Sequence, residues 1–321
     1  MSRTLLLTAL PSPSADDNAV LLAPALRDRG RDVRIACMDD LHLGGDGVAV
    51  PTASGNLPLA DCDLVWILGF GRRETFLDKM QLLARVPTRF VNSVTALLSL
   101  HGKYPFPEAS DRFPQPPTFA HRDPEVLLAQ ARTLGGDWVI KPPGGSFGRD
   151  VHRLHSEDVR LPALLRAGTA GDRYLLLQRY CPEVEVGEHR VLVAGGRVIG
   201  AYRRRHGDVA DGAANLARGG VPEAAAEDPE RDAIALRAAG WLQEQGVAFA
   251  GLDLAGPWVL EANIVNPGGL ATLAALGAGD RAPAVVDAIL TARLIRPSRP
   301  APRPDAPPAA AGPPRAPPHP D

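Results

Sequence analysis

Lys141 closes the apolar segment Trp138-Val139-Ile140-Lys141, and Pro142-Pro143-Gly144-Gly145-Ser146-Phe147-Gly148 after it forms a glycine-rich turn. Such a turn bares backbone N–H groups that can lie against phosphate oxygens. Much further along, Val259-Leu260-Glu261-Ala262-Asn263 reads as an apolar strand. Its alternation sets Glu261 and Asn263 on one face, where hard oxygen ligands could hold Mg²⁺. Asp253 sits on the preceding apolar segment, joined through Ala255-Gly256-Pro257, near enough to complete the set. A phosphate cradle and a magnesium shelf in one chain point to ATP chemistry, and neither does so alone. The plainer alternatives are a surface lysine at a strand end and three polar residues on the wet face of a sheet. Against the second, Leu252, Leu254, Leu260, Ile264 and Val265 make both strands read as buried, and a buried carboxylate needs a partner.

Arg190, in Glu188-His189-Arg190-Val191-Leu192-Val193, points away from the apolar side of its segment. It is either a solvated arginine or a group that stabilises a transferring phosphoryl. Arg203-Arg204-Arg205 opens a glycine-rich stretch that runs to Gly220, too long for a hairpin. It reads equally as a mobile lid or as a plain surface loop. Gly69-Phe70-Gly71 lacks the remaining glycine of a dinucleotide fingerprint and is better read as a turn at a sheet edge. His152, His155 and His189 have no spacing that marks metal ligands, and no Walker-type lysine loop or Ser/His/Asp order is present.

The elements that must position these groups divide the chain in two. Strand, helix and strand are expected over 4–10, 15–29 and 33–37, with Ser14 or Asp16 capping the helix. A third strand over 63–68 is continuously apolar, as a strand covered on both faces should be. A helix over 75–84 and a short strand over 89–92 follow. This alternation predicts a doubly wound parallel sheet. After a proline-rich linker over 103–117 the texture changes to antiparallel pairs with interspersed helices. Strands are expected over 138–141, 150–154, 174–180, 188–193, 197–203, 249–254 and 258–265, with Ala194-Gly195-Gly196 as a hairpin turn and helices over 229–245 and 282–294. From Arg296 onward the chain is almost only Pro, Ala, Arg and Asp, too poor in apolar surface to offset the cost of ordering.

At 321 residues and 45% hydrophobic, the chain is ample for two domains. A formal charge of -2 gives no reason to expect nucleic acid or an anionic membrane as partner. The odd set Cys37, Cys62 and Cys181, without a CxxC pair, argues against disulfides or zinc and for a reducing compartment. Leu5-Leu6-Leu7 is closed at once by Pro11-Ser12-Pro13 and reads as a first buried strand, not a signal peptide. No stretch approaches the ~20 apolar residues of a membrane helix, so the cytoplasm is the expected location.

The order Lys103, Lys141 with its turn, Gln178-Arg179-Tyr180, Glu188 to Val193, Asn215-Leu216-Ala217-Arg218-Gly219-Gly220, Asp253 and Glu261-Ala262-Asn263 resembles the ATP-grasp fold. It is most similar to prokaryotic glutathione synthetase and its RimK-like relatives. The resemblance covers about residues 1–295 and implies a Rossmann-like domain over 1–102 and an ATP-grasp domain of two α+β subdomains over 103–295, which leaves 296–321 as the disordered tail that its composition predicts. It implies ATP contacts from Lys103, Lys141, Gly145, Ser146, Gln178, Arg179, Tyr180, Cys181 and Glu188, the hinge meeting adenine through its backbone. Asp253, Glu261 and Asn263 would hold Mg²⁺ or Mn²⁺, Arg190 would meet the transferred phosphoryl group, and Arg72, Arg205 and Asn215 would bind substrate. The implied function is an ATP-dependent ligase joining a small-molecule carboxylate to an amine through an acyl phosphate, with room for a homo-oligomer. A RimK-like glutamate ligase acting on a peptide terminus and a nucleotide-binding regulator without turnover are the alternatives. Two departures fall in the substrate half: Ala213-Ala214 stands where the lid would carry an arginine, and none follows Asn263 through Thr272.

Overall fold

The computed structural model describes residues 2–144, 150–205, 220–292 and 294. Gly145, Ser146, Asn215 with the rest of the 206–219 stretch, and the 296–321 tail lie outside the described residues.

The chain opens with β1 (Arg3–Thr8), α1 (Asn18–Asp28) and β2 (Asp32–Cys37). A ribbon follows, of β3 (His42–Gly44), β4 (Gly47–Thr52) and β5 (Gly55–Pro58), and then β6 (Leu64–Leu68), α2 (Phe76–Leu83), β7 (Arg89–Val91) and α3 (Val94–Leu100). β1, β2, β6 and β7 form a parallel sheet in the order β2-β1-β6-β7. All of β6 is buried, the outcome its unbroken apolar run predicts. α1 starts at Asn18, later than its apolar pattern suggests, because Asp17 is the cap and accepts the N–H of Ala19 at 2.8 Å. Ser14 and Asp16 hydrogen-bond each other instead. No element was expected over 42–58, yet Val48, Val50 and Leu57 of the ribbon bury against the sheet's core.

The next layer holds β8 (Thr118–His121), α4 (Pro124–Leu134), β9 (Asp137–Lys141), β10 (His152–His155), α5 (Leu161–Thr169) and β11 (Leu175–Arg179). Its antiparallel sheet has the order β10-β9-β11-β8 and packs on the two helices through Leu128, Trp138, Ile140, Leu165 and Leu177. The last layer holds β12 (Glu188–Ala194), β13 (Arg197–Arg205), β14 (Val221–Ala224), α6 (Pro229–Glu244), β15 (Phe249–Ala255), β16 (Trp258–Asn263), α7 (Leu270–Leu273) and α8 (Ala282–Thr291). Its sheet runs β14-β13-β12-β15-β16, antiparallel throughout. Gly195 and Gly196, both at positive φ, close the expected β12–β13 hairpin.

Alternation splits this sheet's burial between two clusters. Val191, Val193, Leu252 and Leu254 face α6 in one, while Leu192, Ala194 and Phe249 face α7 and α8 in the other. Each cluster runs on into the parallel sheet, the first through Leu5, Leu7 and Ile67, the second through Leu6 and Trp66. Asn92, fully buried after β7, fastens the junction. Its amide donates to Phe249 O at 2.7 Å and Ile264 O at 2.8 Å, and accepts from the N–H groups of Ala248 and Phe249. Replacing Asn92 with Ala strands four buried backbone groups, each costing about 1–3 kcal/mol when unpaired. Thermal unfolding of Asn92→Ala should fall by at least about 5 °C; a transition within a degree of the native one would show that the bridge carries no load.

Candidate active site

Lys141 ends β9 opposite Leu176 of β11, and its side chain is 6% exposed. Its Nζ donates to Gln178 Oε1 at 2.9 Å, and Gln178 Nε2 donates to Thr118 Oγ1 at 3.0 Å. The partner is therefore a neutral amide. Burial pushes the Lys141 ammonium down from its ordinary range, nearby Lys103 adds to this, and Glu261 opposes it. Such a group is poised for an anion.

The second half of the site is written in strand register. Tyr202, Arg190, Asp253 and Glu261 lie in one row across β13, β12, β15 and β16, with Arg204 opposite Glu188 in the next row. A bulge in β16 makes this row possible: Leu254 pairs with Val259 but Asp253 with Glu261, so Leu260 is the extra residue. Without it Leu260 would stand opposite Asp253. Bulges of this kind re-aim side chains at functional edges. Gly251, opposite Asn263, leaves the space that the Arg190 stem fills, since a Cβ there would come within 3.1 Å of Arg190 Cδ.

Asp253 is 3% exposed and clasped by Arg190 in a two-point pair, Nε to Oδ1 at 2.6 Å and Nη2 to Oδ2 at 3.1 Å. Arg190 also donates to Gly268 O at 3.0 Å. Arg204 Nη2 bridges Asp253 Oδ1 and Glu188 Oε1. Asn263 Nδ2 donates to Asp253 at 3.0 Å and Glu261 at 3.3 Å, and Lys103 Nζ lies 2.9 Å from the far oxygen of Glu261. Burial alone would raise Asp253, but the two guanidiniums hold its carboxyl well below the usual range. Glu188 moves the other way, pushed up by burial and by its acidic neighbours against the pull of Arg204.

Among the described residues no group of three or more His, Cys, Asp or Glu side chains is gathered for a metal. What the shelf offers is two carboxylates and one amide, whose Nδ2 faces the carboxylates and whose oxygen becomes a third ligand once the amide turns. That set suits Mg²⁺, which prefers few protein ligands plus phosphate and water.

The other expected residues fall around this cluster in different ways. The Arg179 guanidinium donates to Gly135 O at 2.6 Å and lies over Trp138, while Tyr180 stacks under Arg153 and donates to Glu185 at 3.0 Å. The Cys181 thiol is buried and pushed up to about 12 by burial. The backbone of this segment is tied to its neighbours as well, Arg179 N donating to Pro117 O at 2.8 Å and Tyr180 N to Asp137 O at 3.0 Å. The Arg72 side chain is exposed on the loop after β6. Beneath it buried Lys79 donates to Asp39, to Phe70 O and to Arg72 O, and Asp39 accepts the Arg72 N–H at 2.9 Å. That loop leaves the sheet where β1 and β6 part toward opposite edges, the usual ligand crevice of such sheets. Arg73 reaches from it to Gly144 O, beside the glycine turn.

Arg205 is exposed and pairs with Glu223 of β14 at 2.9 Å, on the side away from the cluster. Arg204, 5% exposed, is the residue that turns inward. Period-two alternation carried on from the buried Tyr202 would have found it, since Tyr202 and Arg204 share a face.

A family model described as the ATP-grasp domain of prokaryotic glutathione synthetase matches residues 109–277. A glutathione synthetase of Parasynechococcus marenigrum (strain WH8102) is 32% identical over 280 residues, 80% of this chain and 88% of the relative. The chain belongs to the prokaryotic glutathione synthetase family of ATP-grasp proteins. It is accordingly an ATP-dependent, ADP-forming ligase that makes an amide bond. Solved structures share the fold. A D-cycloserine synthetase, DcsG, aligns at a TM-score of 0.67 with 19% identity, covering 89% of this chain and 98% of that one. A RimK domain ATP-grasp protein from Sphaerobacter thermophilus DSM 20745 aligns at 0.64 with 23% identity, covering 90% and 100%.

In this ATP-grasp chain the inward and outward arginines of β13 should separate cleanly on substitution. Arg204→Met leaves Glu188 and Asp253 facing each other across a buried gap, and breaking such a pair costs about 3–5 kcal/mol. Arg205→Ala removes an exposed pair worth about 0–1 kcal/mol. Denaturant unfolding of both variants, with ATP affinity alongside, should show a large loss for the first and almost none for the second; equal losses would reverse the assignment.

Proposed function

We propose that this ligase activates a small-molecule carboxylate with ATP as an acyl phosphate and transfers the acyl group to an amine, releasing ADP and phosphate. The observation that carries this reading is Lys141, a buried ammonium held by a neutral amide, which among the described residues gives its cluster one more cation than carboxylates. A polyphosphate supplies the missing negative charge. Lys103 and Lys141 bind its oxygens, with Gly145 and Ser146 of the turn closing over them. The hinge from Arg179 to Pro182 meets adenine through backbone groups, and Glu188 meets the ribose. Arg190 stabilises the phosphoryl group in flight. Asp253, Glu261 and Asn263 hold Mg²⁺ or Mn²⁺, which when bound spreads the charge of the phosphates. Arg72, at the crevice of the parallel sheet, and Asn215 orient the acid. In this reading residues 1–102 carry the acid side and residues 103–295 the nucleotide side.

For the substrates, the family favours γ-glutamylcysteine and glycine. A second reading, glutamate joined to a peptide terminus, is favoured by the loop after Asn263. There Asn18 donates to Pro267 O at 3.0 Å and Asn266 to Asp17 at 3.0 Å, and no arginine stands between 264 and 280 to receive a small acceptor's carboxylate. The cysteines are free and buried, and no helix among the described residues is long and apolar enough to cross a membrane; both agree with work in the cytoplasm.

A coupled ADP-release assay over paired acids and amines tests the reading. ADP release with γ-glutamylcysteine and glycine supports the first substrate pair, and release with glutamate and a peptide the second. Lys141→Ala and Glu261→Ala should each lower kcat by roughly 10²–10³-fold or more, the scale of losing one preorganised charge contact. Normal turnover in either variant would refute the site.

A further inference from the structure

Every carboxylate oxygen on the shelf already has a donor. Asp253 Oδ1 receives Arg190 and Arg204, and Oδ2 receives Arg190 and Asn263. Glu261 Oε1 receives the Asn263 amide, and Oε2 pairs with Lys103. Among the described residues the cluster counts four cations (Lys103, Lys141, Arg190, Arg204) against three carboxylates (Glu188, Asp253, Glu261). A dication entering alone would have to displace Lys103 and turn the Asn263 amide, and would deepen a positive surplus in buried surroundings. A metal–triphosphate complex, itself anionic, cancels that surplus. It also gives Lys103 somewhere to go: the Lys103 N–H is fixed to Pro143 O at 2.9 Å, at the mouth of the glycine turn, so its Nζ can pass from Glu261 to a phosphate without moving the backbone.

We propose that Lys103 is a positioning residue that acts through Glu261, keeping the metal shelf closed to free divalent cations and opening it when nucleotide phosphates take the lysine away. The inference rests on the ligase reading and deepens it: nucleotide and metal bind cooperatively, and Lys103 carries the coupling. By linkage the effect is reciprocal, each ligand strengthening the other by the same factor.

The test is Mn²⁺ binding to the full chain, read by electron paramagnetic resonance with and without ADP. The native protein should bind Mn²⁺ alone weakly and at least tenfold more tightly with ADP. Lys103→Met should bind Mn²⁺ alone at least tenfold more tightly than the native protein, although a positive side chain has been lost from a nucleotide site, and ADP should then add little. Lys103→Gln provides the same comparison should the methionine variant fold poorly, and Lys103→Arg should behave as native. Adding Glu261→Gln to Lys103→Met should erase the gain. Free Mn²⁺ binding unchanged by both neutral substitutions, or a gain that survives Glu261→Gln, overturns the inference. A native chain that does not bind ADP at all would instead overturn the nucleotide reading beneath it.

Discussion

The site depends on one buried carboxylate. Asp253 lies on a central strand of the five-stranded sheet, almost fully buried and gripped by two guanidiniums. Taken from water alone, an ionised group in that position would be untenable, and it would neutralise instead. Arg190 and Arg204 keep it charged, and it in turn keeps them inside the fold. Removing any member leaves uncompensated charge, so the three behave as one unit. A buried ion network of this kind contributes little net stability compared with apolar packing. Its presence is therefore better explained by what it presents to a ligand than by what it adds to the fold.

That unit needs a rigid frame, and strand register supplies it. Arg190 meets Asp253 because β12 and β15 pair antiparallel, and Glu261 joins them because Leu260 is bulged out. The opposite faces of the same strands bury Val191, Leu252 and Leu254, so a slip of one residue would exchange core for charge. The hydrophobic core thus sets the positions of the charged groups. The parallel sheet is tied into this frame by shared apolar clusters and by Asn92, which brings the loop after β6, with Arg72 and Arg73, to a fixed place beside the glycine turn.

Long apolar strands and their order were legible from sequence because burial on both faces leaves an unbroken signal, as in β6 and β15. Glu261 and Asn263 could be placed on one face, and Arg190 on the side opposite its apolar neighbours, because alternation follows from pleat alone, while Asp253 could be placed only as near them. What escaped has physical causes. The ribbon of β3, β4 and β5 is short, with glycine and proline at its turns, and it is a sheet only because another sheet lies under it. The bulge at Leu260 has no local signature; it appears only when β16 is paired with β15. Arg204 and Arg205 are chemically identical neighbours, and what separates them is alternation carried on from Tyr202, whose face Arg204 shares.

The two halves of the site are built from different material, and this bears on how a family can keep one chemistry while changing its substrates. One half is made of side chains on paired strands, each locked by at least one other charged or amide group. A change there disturbs several partners at once. The other is made of loops, the one after β6 held from below by Lys79 and Asp39, and the one after β16 held by Asn18 and Asp17. In both loops the anchoring contacts run largely through backbone carbonyl and N–H groups or through residues outside the crevice. The side chains facing the crevice can therefore be exchanged without loosening the loop. The loop after β16 carries no arginine between 264 and 280, and its anchors, Asn18 on Pro267 O and Asn266 on Asp17, do not depend on one, so the side chain at the acceptor position is free of any structural duty.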